Sequence, residues 1–157
     1  MARVLIVGCG CRGLALARAM PEHVVRGTTR LPERVPELET AGIEGVVAEP
    51  DRLGTLVPAL AGVSVVCWLM GTASGSPELH GARLQTLMEH LVDTPVRGLV
   101  YEAAGTVEPR LLQQGADIVL EASRTWHMPG EVVSADPAAF DEWLEAMHEA
   151  VGRVLMA

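Results

Sequence analysis

The sequence predicts an α/β domain in which a doubly wound, six-stranded parallel sheet lies between two layers of helices. Three observations lead to this fold class. Apolar runs of strand length alternate with segments of helical periodicity along the chain. The first run, V-L-I-V at 4–7, continues directly into the glycine-rich turn G-C-G-C-R-G at 8–13. The 157 residues suit one domain with a proper core, and no linker or repeat divides them, so 1–157 is expected to be a single three-layer domain.

Six strands and six helices are expected in alternation. The strands are the apolar runs at 2–7, 23–28, 43–48, 63–69, 96–101 and 131–134. The helices are expected at 14–20, 32–40, 51–60, 77–92, 108–126 and 137–155. The usual strand order for this pattern is 3-2-1-4-5-6, with the very apolar fourth strand near the centre.

Two of these segments need a closer argument. Apolar residues recur near helical spacing over 108–126, which favours one long helix, although Gly115 leaves open a short helix followed by a strand at 117–122. Asp136 is expected to cap the closing helix. The buried stripe of that helix is then expected to be Phe140, Leu144, Met147, Val151 and Leu155.

Composition narrows the functional classes. The net charge of −8 argues against a nucleic-acid partner, because a phosphate-tracking surface needs clustered cations. No apolar stretch reaches the roughly 18 residues of a membrane span, and the first strand begins too early for a signal peptide, so a cytoplasmic protein with reduced cysteines is expected. All twelve basic residues are arginine, which excludes Schiff-base and lysine-assisted chemistry.

The glycine turn is typical of a dinucleotide site. Gly8, Gly10 and Gly13 fit G-x-G-x-x-G between a strand and a helix, where they permit a tight turn, close approach of a pyrophosphate, and helix–strand packing. Cys9 and Cys11 are interpreted as small residues beside the pyrophosphate, since a C-x-C without a second pair does not make a zinc site. The alternative is a tight turn that has lost its ligand.

The end of the second strand favours NADP over NAD. An NAD site usually has an acidic residue here for the ribose hydroxyls, whereas this chain has Thr28, Thr29 and Arg30. Hydroxyls and a guanidinium suit a 2′-phosphate, and Arg34 and Arg12 could add charge nearby. The alternative reading makes Arg30 a solvated loop cation.

A methyl donor is the competing ligand, because V-L-I-V-G-C-G looks much like the first motif of S-adenosylmethionine-dependent methyltransferases. That motif calls for an acidic residue where this chain has Ile6 and a glycine where it has Arg12. The acidic residue expected after the second strand is also missing. The methyltransferase reading is therefore the weaker one.

Three segments together resemble the atypical short-chain dehydrogenase/reductase superfamily, and more narrowly its compact NAD-dependent epimerase/dehydratase-like members. They are V-L-I-V-G-C-G-C-R-G, G-T-T-R after the second strand, and A-L-A-G-V-S-V-V-C-W-L-M-G at 59–71, and the resemblance extends to about residue 105. It implies a Rossmann fold and an NAD(P) cofactor. It also implies that Met70, Gly71 and Thr72 contact the cofactor beside the nicotinamide ribose, and that Glu49 lies near the adenine.

The catalytic part of that family does not carry over. Active members use a tyrosine with a lysine four residues later, but Tyr101 is the single tyrosine here and Gly105 occupies that fourth position. The remaining candidates for proton transfer are Tyr101, Glu102 and His80, each of which also suits a purely structural role. Thr72, Ser74 and Ser76 lie in the loop after the fourth strand.

Two functions fit these observations. One is a small NADP-dependent oxidoreductase of atypical type whose small-molecule substrate is bound largely by a partner or a second copy. The other is a non-catalytic protein that binds or senses the dinucleotide. A homodimer through the helices at 77–92 and 109–125 is plausible, because both carry apolar residues on more than one side.

Overall fold

A computed structural model describes residues 1–73 and 75–157; Ser74, a candidate in the sequence, lies outside the described residues. One sheet of six parallel strands forms the centre of the protein, in the order β3-β2-β1-β4-β5-β6. The predicted order and class are therefore confirmed. The strands are β1 Arg3–Val7, β2 Val24–Thr29, β3 Glu44–Val47, β4 Val65–Trp68, β5 Gly98–Glu102 and β6 Gly130–Val133.

Helices cover both faces of the sheet. They are α1 Cys11–Arg18, α2 Val35–Thr40, α3 Leu53–Leu56, α4 Ala82–Leu91, α5 Pro109–Trp126 and α6 Phe140–Met156. Three further segments are 3₁₀ turns, at Pro32–Arg34, Val57–Leu60 and Pro77–His80, so three of the predicted helices are each split into a 3₁₀ turn and a shorter α-helix. Among the described residues, no helix has the length and apolar character required to cross a membrane.

Alternation along the central strands divides the core into two halves. Leu5 of β1 and Val66 of β4 belong to the half beneath α3, α4 and α5, whereas the neighbouring Val4 and Val65 belong to the half beneath α1, α2 and α6. All four side chains are fully buried. Burial on both faces is the reason that these strands are continuous apolar runs in the sequence.

The segment after β5 is one long helix. α5 runs unbroken from Pro109 to Trp126, and β6 follows it, so the alternative strand at 117–122 does not form. The helix ends at His127, which has a left-handed backbone with φ of 53°. The side chain of Tyr101 packs directly against Gly115, where a Cβ atom would overlap the tyrosine hydroxyl. Gly115 is therefore a packing position inside the helix.

The structure corrects the predicted cap of the last helix and one residue of its predicted buried stripe. Asp136 does not cap α6; its carboxylate accepts a hydrogen bond from the Ala138 N–H at 2.9 Å and forms a turn before the helix begins at Phe140. Phe140 is 41% exposed, whereas Trp143 is fully buried. The buried face consists of Trp143, Met147, Ala150, Val151 and Val154. Of the predicted stripe, Met147 and Val151 are fully buried, and Leu144 and Leu155 are half-buried against the core. Phe140 is the member that the structure contradicts, and the Trp143 indole, which bonds Glu102, is buried instead.

Candidate functional site

A cleft of about 930 Å³ opens at the carboxyl ends of β1 to β4. Its walls are the glycine turn after β1, the residues after β2 and β3, and the loop after β4. This is where open α/β sheets bind ligands, at the point where the strand order reverses. Of the residues predicted to bind a cofactor, the cleft is lined by Gly8, Cys9, Gly10, Arg12, Thr28, Thr29, Arg30, Arg34, Glu49, Met70 and Thr72.

Each of the three motif glycines occupies a position with a different physical demand. Gly8 has φ of 84°, a backbone conformation that other residues rarely adopt, and its N–H donates to Thr28 Oγ1 at 3.1 Å. A Cβ atom on Gly13 would lie 2.9 Å from Cys9 Sγ and 3.2 Å from Ile6 Cγ2, so this glycine lets α1 approach β1. At Gly10, by contrast, a Cβ atom would meet nothing within 4 Å. Its missing side chain leaves space in the cleft, which suits close approach of a ligand.

The start of α1 faces the cleft next to Gly10. No side chain of the described residues caps this helix at its N-terminus. The N–H groups of a first helical turn have no partners inside the helix, and the helix dipole places partial positive charge there. Together with the open space at Gly10, this end of α1 fits a phosphate group.

The two cysteines of the turn have different environments. Cys9 is buried against Gly13 and Gly27, and burial raises the pKa of its thiol to about 11. Cys11 is exposed and lies outside the set of residues that line the cleft. No group of three potential metal ligands occurs among the described residues. Cys9 therefore acts as a small apolar residue beneath the turn.

The hydroxyl oxygens at the end of β2 accept hydrogen bonds from within the protein. Thr28 Oγ1 accepts from Gly8, and Thr29 Oγ1 accepts from the Leu31 N–H at 3.1 Å. Arg30 is exposed at the edge of the cleft and makes no hydrogen bond or ion pair with any other described residue. Arg34 is 3.2 Å from the Glu37 carboxylate. Of these residues, Arg30 has the guanidinium that remains free for a ligand.

Glu49 and the loop after β4 complete the cleft. Glu49 lies after β3, where its carboxylate accepts from the Asp51 N–H at 3.4 Å. Met70 is buried beside the glycine turn, close to the position that a Cβ atom on Gly8 would occupy. Gly71 lies behind the cleft wall, with its N–H donating to Glu102 Oε1 at 2.9 Å.

Arg12 is turned towards the interior instead of the phosphate region. Its guanidinium bonds both oxygens of the fully buried Glu102 carboxylate, with Nη2 2.8 Å from Oε1 and Nε 3.2 Å from Oε2. Nη1 donates to Thr72 Oγ1 at 2.9 Å. The indole of Trp143 donates to Glu102 Oε2 at 2.9 Å and lies beneath the guanidinium, 5.5 Å from its carbon to the ring centroid.

Sequence reasoning missed this cluster of Arg12, Glu102, Thr72, Trp143 and Gly71. A signal was present, because Glu102 ends a strand that is otherwise apolar. A buried carboxylate needs a cation and hydrogen-bond donors. Few arginines follow the strands directly, and Arg12 is one of them, so it was a candidate for the cation that pairs with Glu102.

The other two candidate proton donors form a second buried pair. Tyr101 and His80 are both buried, with the phenol oxygen 2.6 Å from Nδ1 of the imidazole. Burial lowers the pKa of His80. Burial also raises the pKa of Tyr101, and the nearby negative charge of Glu102 raises it further. None of Tyr101, His80 and Glu102 lines the cleft. All three make internal hydrogen bonds behind its wall.

The comparisons with known proteins agree with this description at the level of the fold. No protein-family model matches the sequence, and no curated protein matches it. Solved structures do match. A protein from Bacillus halodurans described as an NAD-dependent epimerase/dehydratase has a TM-score of 0.70 and 17% identity, over 87% of this chain and 71% of its own.

Two further structures match over a similar part of this chain. UDP-glucuronic acid 4-epimerase from Bacillus cereus, in complex with NAD, has a TM-score of 0.67 and 14% identity, over 85% of this chain and 56% of its own. Triphenylmethane reductase from Citrobacter sp., complexed with NADP(H), has a TM-score of 0.65 and 19% identity, over 83% of this chain and 48% of its own. This chain thus spans about half the length of these two enzymes. At these identities the likeness shows a common Rossmann fold.

The buried ion pair leads to a first prediction. Glu102→Ala should lower the free energy of unfolding by about 3 kcal/mol, because it leaves the Arg12 guanidinium and the Trp143 and Gly71 N–H groups without their acceptor. Urea unfolding measures this. Glu121→Ala is the matched control, since Glu121 pairs with Arg124 at the surface and its removal should cost less than about 1 kcal/mol. Equal losses for the two variants would contradict the structural role of the buried pair.

The buried imidazole leads to a second prediction. Since the pKa of His80 is lower in the folded state than its usual value of about 6.5, the unfolded chain binds the additional proton below that pH. Protonation of His80 in the unfolded chain should therefore lower the free energy of unfolding as pH falls below about 6.5, by up to about 1.4 kcal/mol per pH unit. Urea unfolding of the wild type and of His80→Gln at several pH values between about 7.5 and 5 measures the difference. Parallel pH profiles for the two proteins would refute it.

Proposed function

We propose that this protein binds NADP(H) in the cleft between the glycine turn and the ends of β2 to β4. The observation that carries the proposal is the open space at Gly10 above the uncapped start of α1. A pyrophosphate in that space would accept hydrogen bonds from the first-turn N–H groups. Gly8 and Gly13 support the same conclusion, because each meets a demand of the dinucleotide-binding turn.

The adenosine half would extend towards β2 and β3. The 2′-phosphate would lie near Arg30, whose exposed guanidinium can bind a phosphate through two parallel hydrogen bonds. The adenine would lie near Glu49, which lines the far wall of the cleft. An acidic residue that would bind the free ribose hydroxyls of NAD is replaced here by Thr28 and Thr29, which favours NADP.

Hydride transfer is the chemistry that NADP(H) would supply when bound. A small oxidoreductase of atypical type is one function of such a site, and its substrate would be bound largely by a partner or a second copy of the chain. A non-catalytic binding or sensing protein is the other. The burial of Tyr101, His80 and Glu102 behind the cleft wall favours the second, because a general acid has to come within hydrogen-bond reach of its substrate. A cytoplasmic location and a homodimer through α4 and α5 stay predictions.

Gly10→Ala should change ligand binding without changing the stability of the fold. The added methyl group meets no protein atom within 4 Å, and φ of −94° at this position is open to alanine, so the melting temperature without ligand should not change. The methyl group should overlap the pyrophosphate and weaken NADPH binding by about tenfold or more. Thermal shift and calorimetric titration with NADPH measure both effects. Gly152→Ala in α6, also without close neighbours, is the control and should bind as the wild type does. A Gly10→Ala protein with wild-type affinity would exclude the pyrophosphate from this position.

Arg30→Ala tests the choice of cofactor. Loss of a charged hydrogen bond to a phosphate should weaken NADPH binding by about tenfold or more and leave NADH binding nearly unchanged. Arg18→Ala removes the same charge at the exposed end of α1 and controls for the general change in potential. The preference for NADP is refuted if the wild type binds NADH and NADPH equally, or if Arg30→Ala retains its NADPH affinity.

A further inference from the structure

A doubly wound fold binds a dinucleotide with two halves of the sheet. One nucleotide lies over the ends of β1, β2 and β3, the other over the ends of β4, β5 and β6, and the pyrophosphate crosses between β1 and β4. Each half needs hydrogen-bonding groups that are free to meet a ribose and a base. Comparing these groups in the two halves therefore tests which nucleotides the protein can recognise.

The first half retains free groups. The initial N–H groups of α1 are uncapped by any described side chain, and the guanidinium of Arg30 is without a partner among the described residues. The position of Gly10 is open. These features lie in one continuous cleft with Glu49 and the residues after β2.

In the second half, several of the corresponding groups among the described residues are bonded within the protein, although Thr72, Ala73, Gly75 and Ser76 also line the cleft. After β4, the Gly71 N–H donates to Glu102 at 2.9 Å, and the Gly71 carbonyl accepts from the Val107 N–H at 3.0 Å. The Thr72 hydroxyl accepts from Arg12. After β5, the Ala103 N–H donates to the Val133 carbonyl at 2.8 Å. A second ribose would have to displace these bonds.

Arg12 itself crosses the point where the strand order reverses. It begins in α1 above β1 and reaches Glu102 at the end of β5. Glu102 is fully buried and accepts from Arg12, Gly71 and Trp143 together, so its two oxygens have little capacity left for a ribose hydroxyl. Displacing Arg12 would leave the fully buried Glu102 carboxylate without its cation, which is strongly unfavourable.

The described residues of the loops after β4 and β5 are in close contact with each other at Gly71 and Gly105. A Cβ atom on Gly71 would overlap the Ala104 carbonyl oxygen, and one on Gly105 would overlap the Gly71 carbonyl oxygen. A second cavity of about 510 Å³ lies on the α5 side of this contact, between α5 and the ends of β5 and β6. Of its polar side chains, Gln113 bonds Asp117 and Asp136 bonds the Ala138 N–H, whereas the Ser134 hydroxyl makes no hydrogen bond to another described residue.

We propose that the cleft recognises the 2′-phosphorylated adenosine diphosphate half of NADP(H), and that the nicotinamide nucleoside remains in solvent. This inference rests on the proposed function and narrows it. The ligand class is any nucleotide that carries 2′-phosphoadenosine 5′-diphosphate. The nicotinamide ring then adds no binding energy, which fits a protein that detects the nucleotide without reacting with it.

The test is a calorimetric titration of the wild-type protein with NADPH, NADP⁺, 2′-phospho-ADP-ribose and nicotinamide mononucleotide. The three adenosine ligands should have dissociation constants within about threefold of each other, a difference of less than about 0.7 kcal/mol, and the mononucleotide should not bind. The fluorescence of the NADPH nicotinamide should remain as it is in water. NADPH binding tenfold tighter than 2′-phospho-ADP-ribose, or a change in that fluorescence on binding, would overturn the inference and leave the proposed function standing. Absence of binding by all three adenosine ligands would overturn both.

Ala104→Leu tests the second cavity directly. The larger side chain would fill part of the space between α5 and the end of β5. NADPH and 2′-phospho-ADP-ribose should bind this variant as they bind the wild type. A selective loss of NADPH affinity would show that the nicotinamide enters this cavity, which contradicts the inference.

Discussion

The ion pair between Arg12 and Glu102 connects the parts of the structure that form the cleft. A carboxylate without solvent exposure is stable only if a cation and hydrogen-bond donors replace its water. The donors come from the start of α1, the loop after β4 and the face of α6. The position of the glycine turn relative to the end of β5 therefore depends on this one carboxylate.

The same pair determines the electrostatics of the cleft. Arg12 lies in the glycine turn, where a cation would be expected to attract phosphate, but its charge is matched by Glu102. The proposed binding of an anion would then depend on the first-turn N–H groups of α1 and on Arg30. Arg30 lies at the end of β2, away from the Arg12–Glu102 pair between α1 and β5.

Local patterns in the sequence predicted the sheet, its order and the shape of the turn. Buried parallel strands are apolar runs whatever they pair with, and the demand for glycine at Gly8 and Gly13 arises from atoms of the turn and its nearest strands. The long α5 helix could also be predicted, because its apolar residues recur at regular helical spacing. These features depend on neighbours in sequence or on fold-wide regularities.

The features that were missed depend on contacts between distant residues. Arg12 and Glu102 are 90 positions apart, and 41 positions separate Glu102 from Trp143. The apolar stripe assigned from Phe140 omitted Trp143, whose indole is fully buried and donates to Glu102. Helical periodicity predicts which side of a helix is buried only where the residues on that side gain similarly from burial. One buried polar contact is sufficient to change that choice.

The polar side chains behind the cleft wall are already bonded to other groups of the protein. A proton-transfer group has to be free, and within reach of the reacting atom, at the moment of reaction. In this protein the only tyrosine bonds a buried imidazole, and the glutamate beside it bonds an arginine and an indole. Freeing either would break an interaction that holds the core together. The position of Gly10, in contrast, is open, because a Cβ atom there would meet no described atom within 4 Å. The open cleft and the bonded residues behind its wall are therefore separate parts of the structure, and the bonded residues stabilise the fold.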